Sequence, residues 1–91
     1  MSAKDYESRV RDIGCILCLH LGFGKTPASI HHVESIRDAL SEYAIVPLCP
    51  DHHQGPQGVH GLRRRGFEAM YKLTDIDLLA MVNRELNRRV A

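Results

Sequence analysis

Apolar positions along the chain change period several times, and each change predicts an element. Over residues 3–13, Tyr6, Val10 and Ile13 recur at steps of four and three while Lys4, Glu7, Arg9 and Arg11 take the other faces. That spacing predicts a short helix, with Ser2 as its cap and Gly14 as its end. Residues 19–25 contain Gly22 and Gly24 and read as a loop or weak strand edge, closed by the turn signal Thr26-Pro27. Residues 28–33 and 44–48 are short apolar runs of strand type, separated by a polar stretch, 34–43, expected to be a loop with one helical turn. A helix opening at Pro50 should be very short, because Gly55, Pro56, Gly58 and Gly61 follow it. Residues 65–72 can be helical, with Phe67 and Tyr71 four apart and Met70 beside them. A last helix, 75–89, is capped at Thr74, with Ile76, Leu79, Ala80, Leu86 and Val90 inward and Asp77, Arg84 and Arg88 outward. The expected class is a small α+β fold.

Length limits what this pattern can bury. A chain of 91 residues is read as one domain, 1–91, and one this short removes only about 60 to 65 per cent of its unfolded surface from water. Large anchors are few: Tyr6, Phe23, Tyr43, Phe67 and Tyr71, with no Trp. An added staple is therefore expected. The three cysteines do not make a disulfide framework, and Cys-x-x-Cys with Cys and His downstream points to zinc in a reducing compartment. No run approaches the roughly 20 apolar residues of a membrane span, and the N-terminus lacks a signal-peptide core. A soluble cytoplasmic protein with no membrane partner follows as the expectation.

The densest chemistry lies between Val46 and His60. Cys49-Pro-Asp-His52 repeats the two-residue spacer of Cys15-Ile-Leu-Cys18, a tight turn that points two sulfurs at one metal, so the two pairs can close one tetrahedron. Such a structural zinc would staple the N-terminal turn to the second strand. Taken alone, each pair also has a plainer reading, as buried cysteines or as surface histidines. His31, His32, His53 and His60 are left over, and the staple would hold them near one another. Successive strand residues point to opposite faces, so His31 and His32 would share a cavity only where the strand ends or bulges. Adjacent His52 and His53 could also exchange duties.

Several segments together resemble a known family. Ile13-Gly-Cys-Ile-Leu-Cys18, Thr26-Pro-Ala-Ser-Ile-His-His-Val33, Val46-Pro-Leu-Cys-Pro-Asp-His-His53, Gly58-Val-His-Gly-Leu62 and Phe67-Glu-Ala-Met-Tyr-Lys-Leu-Thr74 occur in an order similar to HNH nucleases, in particular phage-encoded HNH proteins of the RecA-dependent nuclease type. The resemblance covers roughly residues 8–80. It implies a ββα-metal core flanked by an N-terminal helix and C-terminal helices, and DNA endonuclease activity in phage-related processing or recombination. It further implies His31 and His53 as ligands of a catalytic metal, His32 as general base, and products with 5′-phosphate and 3′-hydroxyl ends. Two departures stand out. Ala44 occupies the place of the superfamily's middle Asn, and no Asn precedes Asn83. His60 stands seven residues after His53, with Gln57 where a helical partner four residues on would be. His60 is thus either a metal ligand or phosphate contact, reached by looping of the Gly-Pro-Gln-Gly segment, or an ordinary loop histidine.

Histidine ligands favour zinc or nickel, whereas magnesium and manganese act through substrate phosphates, so Mg2+, Mn2+, Ni2+ and Zn2+ all remain open for the catalytic metal. Net charge is +1, yet Arg63, Arg64 and Arg65 stand together, Arg84, Arg88 and Arg89 gather at the end, and Lys25 precedes the first strand. Lys25 with Arg63, Arg64 and Arg65 is the supply of phosphate contacts for DNA, with weak sequence preference expected. A recombinase filament or a second copy of the chain could assist so small a domain. The alternative is a non-catalytic zinc module that binds nucleic acid or a partner protein on the same core. A cysteine-based redox or hydrolytic enzyme would instead need free, reactive thiols.

Overall fold

The computed structural model describes residues 1–90, with the side chains of residues 1–88. Its first helix, α1 (Ala3–Ile13), starts where Ser2 Oγ accepts the Asp5 N–H at 3.1 Å and buries Val10 and Ile13. Gly14 ends it with φ 82°. A Cβ at Gly14 would lie 2.8 Å from the Thr26 carbonyl oxygen and 2.9 Å from Lys25 Cγ. Both the backbone angle and the close approach therefore exclude a side chain there, and the approach lets the Cys15 N–H bond the Thr26 carbonyl at 3.0 Å.

Cys15 does not sit in an isolated tight turn. It caps a second helix, α2 (Ile16–Leu21), with its Sγ accepting the Cys18 N–H at 3.4 Å. Residues 19–21, expected in a loop, are thus helical, and Gly22 closes the helix in the left-handed region. The helix exists because Ile16, Leu17 and Cys18 all bury into the core.

Two strands follow, β1 (Ser29–His32) and β2 (Ile45–Leu48), paired antiparallel with His31 opposite Val46 and His32 opposite Ile45. A 3-10 turn over Ala39–Tyr43, capped by Asp38, supplies the single helical turn expected between them. All four residues of β2 are buried. The strand packs against α1 and α2 and against the last helix, α5 (Asp75–Val90). A continuous apolar run with no polar alternation is what burial on both faces requires.

Thr74 caps α5 as expected, through a reciprocal pair: the Asp77 N–H donates to Thr74 Oγ1 at 3.2 Å and the Thr74 N–H to Asp77 Oδ2 at 2.8 Å. The buried stripe is rotated from the expected one. Leu78, Met81 and Val82 are buried, Leu79 and Leu86 are half-buried, and Ile76 and Ala80 face solvent, Ile76 at 76% exposure. Leu78, Met81, Val82 and Leu86 keep the i, i+3, i+4, i+8 spacing of one face, and Ile76 cannot share it. The inward placing of Val90 concerns a side chain outside those described. Of the five aromatic anchors, only Phe67 is fully buried; Phe23 is 68% and Tyr43 43% exposed. Phe23 lies between Gly22 and Gly24, both at positive φ, in a loop that turns it away from the core.

Between β2 and α5 run a single-turn helix, α3 (Pro50–His53), opened by Pro50 as expected, and α4 (Val59–Tyr71). The helix α4 begins six residues earlier than the expected 65–72. Gly61 does not break it, because that glycine is where the helix presses on the backbone of Gly55 and Pro56, and no Cβ would fit. The break comes at Arg63, whose φ of 59° and ψ of 177° kink the helix.

Two candidate metal centres

The start of α2 and the turn of α3 meet in the core, and they carry the two spaced pairs. Cys15, Cys18, Cys49 and His52 are all buried. A tetrahedron with zinc–sulfur bonds of about 2.3 Å and zinc–nitrogen bonds of about 2.05 Å has S···S edges near 3.75 Å and S···N edges near 3.55 Å. Cys18 Sγ and Cys49 Sγ are 3.7 Å apart, and His52 Nδ1 lies 3.5 Å from Cys15 Sγ, 3.5 Å from Cys18 Sγ and 3.3 Å from Cys49 Sγ. The four groups fit a structural zinc. Burial pushes the Cys15 thiol up to about 12, so without a cation it stays protonated.

The next residue on α3 turns the other way. His53 points toward β1, where its Nδ1 meets Ser29 Oγ at 2.7 Å. His31 and His60 join it, and one ligand atom from each of the three lies within 4.8 Å of the others. Ring centroids are 5.3 Å apart for His31 and His53, 5.3 Å for His31 and His60, and 4.9 Å for His53 and His60. The 54–58 loop brings His60 back, fastened by Tyr71 Oη donating to the Gln57 carbonyl at 2.6 Å. His52 and His53 therefore divide the two groups between them, one facing each.

Burial and neighbouring imidazoles favour the neutral form of His31 and His53. Burial, then the neighbouring His53 and His60, hold His31 down to about 4, and burial followed by His60 lowers His53. His60 stands at the surface, so a metal held by these three imidazoles would have coordination positions open toward solvent.

His32 stands apart. The strand β1 ends at His32 without a bulge, so alternation holds: His31 is buried toward the triad and His32 is exposed on the other face. Among the described residues it has no side-chain partner. Ala44, which the HNH resemblance aligns with that superfamily's Asn, is buried, and its carbonyl is taken by the Val33 N–H at 2.9 Å.

An open cleft of about 590 Å3 adjoins the triad. His31 and His60 open onto it, with Arg37, Arg63 and Arg64 as its cations. Lys25 and Arg65, expected beside the site, do not line it. Lys25 packs at Gly14 beyond the first strand, and Arg65 is exposed on α4 outside the cleft. Two residues escaped the sequence reading. Ser29 stands two before His31 and so shares its strand face, a signal that period two carries; Arg37 lies in an aperiodic loop that gave none. Among the described residues, no helix is long and apolar enough to cross a membrane.

A family model described as recombination enhancement, RecA-dependent nuclease, matches residues 2–87. No curated protein and no solved structure gives a match.

Proposed function

The chain belongs to the family of recombination-enhancement, RecA-dependent nucleases, and from that premise we propose that it is a metal-dependent DNA endonuclease of HNH type, acting in phage-related DNA recombination. The observation that carries the metal dependence is the convergence of His31, His53 and His60 at the mouth of an arginine-bearing cleft.

In this reading the β1–β2 pair and α3 form the ββα-metal core. A divalent cation held by His31, His53 and His60 would supply Lewis acidity at the scissile phosphate and at the oxygen that leaves. The family resemblance assigns the proton of the attacking water to His32, a role an imidazole can fill near neutral pH. Because β1 turns His32 to the face away from His31, His32 would have to reach that water around the end of the strand. The new P–O bond forms from that water, the P–O3′ bond breaks, and a solvent proton completes the 3′-hydroxyl, leaving a 5′-phosphate. Arginines of α4 would hold the backbone on either side. Cys15, Cys18, Cys49 and His52 would keep α2 and α3 in register through their zinc, and a recombinase filament would present the DNA.

A second reading rests on one observation. Among the described residues His32 has no orienting side-chain partner, and Ala44 supplies none, so the same core could bind DNA without cutting it. A supercoiled-plasmid assay with Mg2+, Mn2+, Ni2+ or Zn2+, run with and without RecA-coated single strands, separates the two. The nuclease reading expects nicking by wild type and a loss of about 100-fold or more in His32→Ala. Binding by both proteins with no nicking under any metal would leave the non-catalytic module.

A further inference from the structure

The kink at Arg63 is the least favourable backbone in the described chain. With φ 59° and ψ 177° it occupies a region that side chains avoid and glycine enters freely, at a cost of order 1–3 kcal/mol. Lys72, the other non-glycine residue at positive φ, has ψ 33° and is an ordinary left-handed helix end. Position 63 suits glycine, yet the residue there is an arginine on the wall of the cleft.

The other arginines help to say why. Arg11, Arg64 and Arg88 are paired with Glu7, Glu68 and Glu85, and Arg9 meets the Met1 sulfur. Arg37 and Arg63 have no ion pair or hydrogen bond among the described residues, and both line the cleft that His31 and His60 open onto. Of the acids on the cleft wall, Glu68 is engaged by Arg64, and Glu34 and Asp75 are the opposing charges.

We infer that Arg37 and Arg63 form a two-arginine clamp for a backbone phosphate of the nucleic acid, next to the histidine triad, and that the strained backbone at position 63 is what aims one of its arms. The inference rests on DNA being the substrate, and it separates Arg63 from Arg64, which is tied to its own helix, and from Arg65, which lies outside the cleft. Arg37 and Arg63 come from different segments, so the clamp also fixes the loop after β1 relative to α4 once a phosphate is bound.

The test uses the full chain with its zinc bound and no added divalent metal. Binding of a labelled DNA duplex, and of its single strand, is measured across a salt series. Arg37→Ala, Arg63→Ala and Arg63→Gly should each weaken binding roughly fivefold and make the slope of log K against log salt shallower by about 0.9 on duplex and about 0.7 on the single strand. Arg65→Ala should change the slope by less than half of that. Arg63→Gly should also melt a few degrees above Arg63→Ala, since both lack the guanidinium and only glycine relieves the backbone. An unchanged slope in Arg37→Ala or Arg63→Gly, a full-sized change in Arg65→Ala, or a glycine variant melting at or below the alanine one overturns the inference. Absence of DNA binding by wild type would instead overturn the nuclease reading beneath it.

Discussion

Ser29 Oγ lies 2.7 Å from His53 Nδ1 and 3.4 Å from the Leu48 carbonyl oxygen. A hydroxyl has one proton to give, and the carbonyl can only accept. A His53 that binds a metal through Nε2 carries its proton on Nδ1 and donates it to Ser29 Oγ, whose own proton can then go to Leu48, and this contact orients the ring. Ser29→Ala should therefore lower the affinity of the triad for Ni2+ or Co2+ by about 10- to 100-fold. Ser29→Thr, which keeps the hydroxyl on a strand, should retain most of it. Calorimetric titration of protein with its structural zinc in place measures both, and equal affinities for wild type and Ser29→Ala would remove Ser29 from the site.

Removing zinc should unfold the protein, because the four groups join α2 to the β2–α3 corner in a chain whose apolar core is small. Cys49→Ser is expected to lose tightly held metal and far-UV helical signal together, and a strong chelator should do the same to wild type. The check is metal content after dialysis beside circular dichroism. A metal-free Cys49→Ser with a wild-type spectrum and melting temperature would mean that the apolar core suffices.

The pattern of spacings made one half of this architecture legible and concealed the other. Equal two-residue spacers announced the Cys15, Cys18, Cys49 and His52 group, since ligand spacing is a local property that survives into the fold. Strand alternation separated His31 from His32. What could not be read was governed by long-range contact. Glycine at 61 signalled a break by propensity, but tertiary approach to Gly55 turned it into a helical packing position, and the break moved to Arg63. His60, open between ligand and loop residue by its spacing, is brought to the triad by a loop fastened through Tyr71 and Gln57, a pairing no local pattern encodes. The α5 stripe was misplaced because the buried face runs through Leu78, Met81, Val82 and Leu86, and Ile76 and Ala80 lie about half a turn away from it.

Acid should destabilise the metal-free triad. His31 is held down to about 4, below its ordinary value near 6.5, so between those values the unfolded chain binds the extra proton and stability rises with pH. The contribution is fully present above about 6.5 and is lost as pH falls toward 4. With zinc still bound, unfolding free energy should drop by at most about 1.4 kcal/mol per pH unit from this one group, and His31→Gln should flatten that part of the profile. Denaturant titrations at a series of pH values give the slopes; identical slopes for the two proteins would show that His31 titrates as it does in the unfolded chain.

Gly58 is buried against the turn that divides the two metal groups. A Cβ there would lie 2.5 Å from the His52 carbonyl carbon, 2.6 Å from its oxygen and 2.7 Å from the Asp51 oxygen. These are backbone atoms of a one-turn helix, so relief requires moving α3 itself, and His52 and His53 with it. Gly58 has φ −103°, which alanine tolerates, so any effect of Gly58→Ala is steric and not a matter of backbone angle. The variant should lose about 1–3 kcal/mol of stability and weaken zinc retention and triad metal affinity at once. Tyr71→Phe provides the contrast. It removes the Tyr71 Oη to Gln57 bond, worth about 0.5–1.5 kcal/mol, and loosens only the 54–58 loop that leads into His60, so triad affinity should fall while zinc stays bound. Metal content and Ni2+ titration on both variants decide it: if Gly58→Ala spares the zinc and perturbs only the triad, the two centres do not share α3 as their common support.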